Sequence, residues 1–146
     1  MLIGSPLMCA TVYAQTPMSP DEQNGICPLV GDMAFVATDL RDKKLDTEAA
    51  NNQMIREFRI NEKPEKMRKV VSILANGIVE MVYATPSLEP STEVAFHFAF
   101  CVLGLYSDSR LNERMPAFIQ KAEKCQEEST ENEVRVKCVL RRFEEG

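Results

Sequence analysis

The chain has 146 residues, of which 45% are hydrophobic and 27% are charged, and this is enough sequence for one globular domain with a single core. Its 17 basic and 22 acidic side chains give a net charge of −5, which argues against a general nucleic-acid-binding protein, because such proteins present a basic surface. The apolar content is too high for an intrinsically disordered chain. Five cysteines are unusual in a chain of this size.

The first 20 residues contain no charged side chain and no histidine. Residues 1–14 are mostly apolar or small and end in Val12-Tyr13-Ala14, the residue pattern of a signal-peptide cleavage site before Gln15. We therefore expect residues 1–14 to be a signal peptide and the protein to be periplasmic or secreted. No basic residue precedes the apolar run, so the alternatives are a signal that starts further upstream and an apolar segment that packs on the domain. No segment reaches the roughly 20 apolar residues that a transmembrane helix needs.

Cleavage after Ala14 removes Cys9 and leaves four cysteines, namely Cys27, Cys101, Cys125 and Cys138. An even number of cysteines in an exported chain indicates two disulfides, for which three pairings are possible. We favour Cys27–Cys101, which joins the start of the folded domain to a late core segment, together with Cys125–Cys138, which closes a short C-terminal loop. The alternative is that these are buried free thiols in a cytosolic protein.

Residues 15–26 are rich in Gln, Pro, Asn, Ser and Gly and are predicted to be a linker, so that residues 27–146 form a single domain. Helical periodicity begins at Pro28, and a second helix follows a cap at Asp46 or Thr47. The most regular apolar pattern, at steps of three and four residues, predicts a third helix from Pro64 to the residues before Thr85-Pro86.

Two later segments are ambiguous between helix and strand. Residues 94–105 alternate like a strand but are apolar on all sides, and Pro90, Ser91 and Glu93 provide a helix start, so we favour a buried helix. An apolar stripe over residues 111–122 predicts a further helix. Residues 134–140 alternate like a strand, with a last helix that places Cys138 against Cys125 as the alternative. We therefore predict a mainly α fold, a compact bundle of about five helices with either a short C-terminal strand or an extra helix, ending in a charged appendage.

His97 is the only histidine and the one candidate for a general base at neutral pH. It lies between Phe96 and Phe98 in the most apolar segment, which is typical of a buried core histidine. No sequence signature marks a nucleophile or an orienting acid, so no catalytic residue is predicted. A zinc site is not expected either, because Cys-x-x-Cys is absent, and we predict no metal and no cofactor.

Two charged stretches form a possible interaction surface. Basic residues are frequent between residues 56 and 69, and acidic residues between 127 and 133. Phe58 is the single aromatic residue near the basic stretch, so base stacking on nucleic acid is not expected. The alternative is an exposed helix surface with ion pairs. The candidates are Arg56, Arg59, Lys63, Lys66, Glu127 and Glu128.

Several short segments resemble a pattern in small exported proteobacterial helical proteins of unknown function. The resemblance extends over residues 27–102, and its segments are Cys27-Pro28, residues 34–46, residues 82–86 and residues 90–93 ahead of Cys101. It implies that these segments are helical and that the two outer cysteines, Cys27 and Cys101, are bonded. It implies no activity.

These observations lead to three hypotheses about function. The first is a non-enzymatic exported protein that binds another protein, as an inhibitor, an immunity protein or an envelope-assembly factor. The second is a carrier of a small apolar ligand in a helical core, because methionine-rich helices line adaptable cavities. The third is an enzyme that uses His97.

Overall fold

The structure, a computed structural model, describes the backbone of residues 20–145 and the side chains of residues 25–145. This part of the chain contains six α-helices, two short 3₁₀ helices at Ile60–Glu62 and Leu105–Ser107, and no strand. The mainly α fold is therefore confirmed, with one helix more than the five predicted. The six helices are α1 (Pro20–Asp42), α2 (Thr47–Glu57), α3 (Glu65–Tyr83), α4 (Pro90–Val102), α5 (Leu111–Glu128) and α6 (Asn132–Glu144).

Helix α1 begins further upstream than the sequence predicts. The predicted signal peptide, residues 1–14, lies outside the described residues, but residues 20–26 of the predicted linker are the first turns of α1. The reason is tertiary: Ile26 is buried in the core and Cys27 is bonded to Cys101, so α1 is held against the bundle from residue 26 onwards. Helix α1 also continues through Pro28, which lacks the N–H for one backbone hydrogen bond.

Helices α1 and α4 lie at the centre of the bundle. Helix α1 packs against α3 and α4, α4 packs also against α6, and α2 and α5 cover α3 and α6, which gives the spatial order α2–α3–α1–α4–α6–α5. Helices α1 and α4 are antiparallel, because Cys27 near the start of α1 is bonded to Cys101 at the end of α4, with Cα atoms 5.4 Å apart. The second disulfide, Cys125–Cys138, joins α5 to α6 at a Cα separation of 5.8 Å. Both favoured pairings are present.

Both ambiguous segments are helices for packing reasons. Helix α4 is apolar on all sides because α1 covers one side and α6 the other, so its alternating pattern carries no strand signal. In α6, Cys138, Val139 and Phe143 are buried. The prediction that the C-terminus is a charged appendage is therefore wrong, because α6 packs against α4 and completes the core on that side.

A cluster of phenylalanine rings holds α4, α5 and α6 together. The ring centroids of Phe96 and Phe143 are 5.3 Å apart, those of Phe100 and Phe118 are 5.1 Å apart, and those of Phe118 and Phe143 are 4.8 Å apart. All four rings are buried and several meet edge to face, an arrangement that aromatic pairs prefer. These phenylalanines fill the interior and contact one another.

Capping explains where the second and third helices begin. The Asp46 carboxylate accepts a hydrogen bond of 2.8 Å from the Ala49 N–H, so the prediction of Asp46 as the cap of α2 is confirmed. Helix α3 begins at Glu65, with Pro64 as its N-cap rather than its first helical residue.

Candidate functional site

A buried carboxylate lies in the first turn of α4. The Glu93 side chain is completely buried, which is costly for an ionised group unless it is paired and hydrogen-bonded. Its Oε2 accepts from Arg41 Nη1 at 2.9 Å and from the Thr85 hydroxyl at 2.5 Å. The buried Glu93 carboxylate is therefore paired with a cation from α1 and hydrogen-bonded by a hydroxyl from the segment that precedes α4.

Arg41 also binds the backbone at the end of α3 and in the connection from α3 to α4. Its Nη1 lies 3.1 Å from the Val82 carbonyl oxygen and 2.9 Å from that of Thr85, and its Nη2 donates to the Leu88 carbonyl at 2.7 Å. Carbonyl groups at the end of a helix lack intrahelical donors, and one guanidinium provides several here. The last turn of α1 thus fixes the whole connection from α3 to α4.

His97 lies one turn after Glu93 and is completely buried. Its Nδ1 is 3.0 Å from the Tyr106 hydroxyl oxygen, and its Nε2 is 3.6 Å from Glu93 Oε1. It lines neither the surface pocket beside Phe35 nor the one beside Lys66. This placement fits the prediction of a core histidine and provides no contact with a substrate.

A second arginine fixes the opposite side of the same connection. Arg135 of α6 is 5% exposed, and its Nε and Nη2 donate to the carbonyl oxygens of Ser129 at 2.6 Å and Gln126 at 2.9 Å. Its Nη1 donates to Glu89 Oε2 at 2.6 Å and to the Ser91 hydroxyl at 2.9 Å. The N-terminal end of α4 is therefore held by Arg41 of α1 and by Arg135 of α6.

The N-terminal end of α4 forms one wall of a surface groove with a volume of about 520 Å³. Helix α1 forms a second wall and α6 a third, and Phe35 of α1 is 56% exposed beside the groove. Gly31 of α1 faces Val94 of α4 across the groove, and a Cβ at position 31 would lie in ordinary van der Waals contact with Val94, 3.5 Å from its Cγ1. The lining residues are Gly31, Asp32, Phe35, Glu89, Pro90, Ser91, Val94, Asn132 and Val136.

The charges that line this groove, which we call the α1–α4–α6 groove, are both negative. They belong to Asp32 and Glu89. Glu89 is paired with the buried Arg135, whereas Asp32 is exposed and makes no ion pair with any residue that the structure describes. Asp32 is therefore the uncompensated charge of the groove.

The interaction surface predicted from charge runs is divided between two ends of the bundle. Arg56 lies in the last turn of α2 and donates to Gln53. Arg59 pairs with Glu62 at 2.7 Å, and Lys63 and Lys66 flank the start of α3. The acidic members, Glu127 and Glu128, end α5, where Glu128 pairs with Arg142 of α6. The described residues of α2 and α3 form one flank and those of α5 and α6 the other, so that the basic and acidic candidates do not meet in one surface.

The groove was not predicted from the sequence. Phe35 is apolar but lies off the helical face formed by Leu29, Met33, Val36 and Leu40, and an aromatic residue outside the apolar stripe is the one signal that sequence offers. Asp32, Pro90, Val94 and Val136 are distant in sequence and share a surface only in the folded chain.

Within residues 20–145, no group of three or more His, Cys, Asp or Glu side chains is placed to hold a metal ion. None of the helices in this range is both long and apolar enough to cross a bilayer. Comparison of the chain with protein-family models, with curated proteins and with solved structures finds no match.

Proposed function

We propose that this chain is an exported, non-enzymatic helical protein that binds another protein through the α1–α4–α6 groove. The observation that carries the proposal is the exposed Phe35 ring beside a groove with fixed walls. Burying an aromatic ring against a partner gains apolar contact area, and exposed aromatic residues are enriched where proteins bind one another.

The rigidity of the walls supports this function. Helices α1 and α4 are joined by the Cys27–Cys101 disulfide at one end and by the Arg41–Glu93 ion pair at the other. Arg135 joins α4 to α6. A preorganised surface binds more tightly, because little conformational freedom is lost on association.

Export is supported by the two disulfides, which persist in oxidising compartments and are rare in the cytosol. Intact-mass measurement of the protein from its native cells, with and without reduction before alkylation, tests this part. We expect a chain that begins at Gln15 and whose four cysteines are alkylated only after reduction, whereas alkylation of all cysteines without reduction would contradict export.

The binding function is tested by photo-crosslinking in the cells that produce the protein. A photoreactive phenylalanine analogue replaces Phe35 in one variant and Val102, which is 52% exposed at the end of α4, in the control. We expect a discrete protein adduct from position 35 and none from position 102. Equal adducts at both positions, or none at position 35, would contradict binding through the groove.

The two other hypotheses have less support. A carrier with a ligand inside the core has to hold that ligand among helices whose phenylalanine rings already contact one another. An enzyme that uses His97 has to expose a side chain that is completely buried. Native mass spectrometry of the gently purified protein tests the carrier hypothesis, because a co-purifying small molecule of constant mass would favour it.

A further inference from the structure

Building on the proposed function, we infer that the partner segment in the α1–α4–α6 groove presents an arginine, followed or preceded by an apolar side chain. The guanidinium pairs with the Asp32 carboxylate and lies over the Phe35 ring. The apolar side chain enters the groove between Pro90 and Val94 of α4 and Val136 of α6.

The spacing of Asp32 and Phe35 favours a planar cation on the partner. They are three residues apart on α1, so that their side chains are neighbours on one face of the helix. Both are exposed, whereas the residues between them, Met33 and Ala34, are completely buried. A planar cation that binds a carboxylate with its edge and an aromatic ring with its face fits this pair, and arginine is the side chain with both properties.

The charges that line the groove also favour a cation on the partner. Among the described residues, the groove is lined by two carboxylates and by no cationic side chain. Glu89 is already paired with Arg135 and also places a negative charge at the N-terminus of α4, and Glu131 does the same for α6. Asp32 is left as the charge without a counterion, so that the matching group on the partner is a cation.

The apolar wall of the groove favours an apolar side chain next to the arginine. Pro90 and Val94 lie on α4, and Val136 lies opposite on α6. A groove of about 520 Å³ is within the size range that accommodates a drug-sized molecule, which corresponds to a few side chains. A short segment of a partner polypeptide, with one apolar anchor beside the arginine, fits these dimensions.

Selection from a phage-displayed library of random dodecapeptides against the disulfide-intact protein tests this chemistry. Selected peptides are then synthesised, and their dissociation constants are measured for the parent protein and for Phe35→Ala, Asp32→Asn and the control Val102→Ala. The three positions are exposed, and thermal unfolding of each variant confirms that it is folded. Sedimentation velocity of the parent protein and of Phe35→Ala measures self-association separately.

We expect the selected peptides to share an arginine next to an aliphatic or aromatic residue. Phe35→Ala and Asp32→Asn should each weaken binding about tenfold or more, Val102→Ala should leave it unchanged, and added salt should weaken it in the parent more than in Asp32→Asn.

Peptides that need Phe35 but lack a common cation would overturn the arginine and leave the proposed function intact. Failure to select any peptide, or peptides whose affinity is indifferent to Phe35→Ala, would overturn both the arginine and binding through the groove. Self-association of the parent that Phe35→Ala abolishes would assign the groove to a second copy of this chain instead.

Discussion

Arg41 and Glu93 form an ion pair between the end of α1 and the start of α4, with 2.9 Å between Nη1 and Oε2, and the Glu93 side chain has no exposed surface. The same guanidinium binds three backbone carbonyl oxygens, one in the last turn of α3 and two in the connection from α3 to α4. This one pair therefore joins the two central helices and positions the wall of the groove that α4 provides.

Removal of Arg41 should strongly destabilise the fold. In Arg41→Met the Glu93 carboxylate stays buried without its cation, and we expect a loss of about 3–5 kcal/mol in the free energy of unfolding. Urea denaturation with both disulfides intact measures it. The matched control is Lys43→Ala, which removes an exposed pair with Asp39 and should change stability by at most about 0.5 kcal/mol.

The double variant Arg41→Met with Glu93→Gln tests the reason for that loss. Because neutralising Glu93 removes the unpaired charge, the two losses should sum to more than the loss of the double variant. Additive losses would show that the ion pair is not what Arg41 contributes.

Arg135 should be the second arginine that the fold needs. Arg135→Ala leaves the Gln126 and Ser129 carbonyl groups without their donor, and we expect a loss of about 2–4 kcal/mol, measured by urea denaturation. Arg110→Ala is the control, since its pair with Glu113 is exposed, and it should cost at most about 0.5 kcal/mol. Equal losses in the two variants would contradict the structural role of Arg135.

The two disulfides should contribute unequally. Cys27–Cys101 closes a loop with a sequence separation of 74 residues and Cys125–Cys138 one of 13. Loop-closure entropy therefore stabilises the fold by about 4.5 kcal/mol for the first and about 3 kcal/mol for the second. Thermal unfolding of the paired Cys→Ser variants compares them, and a larger loss for Cys125→Ser with Cys138→Ser would contradict the entropic explanation.

Asp108 should make stability depend on pH in the acidic range. The Arg110 N–H donates to its Oδ1 at 2.8 Å, and this hydrogen bond, followed by the bond and ion pair with Arg114, holds the pKa of the Asp108 carboxyl below its ordinary value. A carboxyl whose pKa is lowered on folding stabilises the protein above its unfolded-state pKa, and this contribution disappears as the pH falls through the folded-state pKa.

The variant Asp108→Asn tests this sign. It should be less stable than the parent at pH 7, and the difference should shrink toward zero as the pH falls well below about 4. Urea denaturation across this range measures the difference, and one that grows on acidification would contradict the assignment.

Much of the fold could be predicted from local sequence patterns. The apolar period over residues 64–84, the cap at Asp46 and the helix start at Pro90 each reflect interactions within a few residues, and the structure has helices in all three places. The C-terminal segment was not decided in this way, because α6 becomes a core helix only through its contact with α4.

The candidate groove could not be predicted from local sequence patterns. Its walls come from residues 31–35, 89–94 and 132–136, which meet because α1, α4 and α6 pack side by side. Charge runs led instead to residues at two separate ends of the bundle, since a run of like charges reports exposure and carries no information about neighbours in space.

The sequence by itself determined the helical class, the presence of four cysteines able to form two bridges and the apolar setting of His97, because periodicity, cysteine count and local composition depend on residues near one another or on simple number. Only the tertiary structure decided which of the three cysteine pairings forms, that Arg41 and Arg135 both bind the connection between α3 and α4, and that Asp32 and Phe35 share a surface with α4 and α6. Those relationships join positions from 41 residues apart, as for Arg41 and Val82, to 104 residues apart, as for Asp32 and Val136, and the packing of whole helices brings them together.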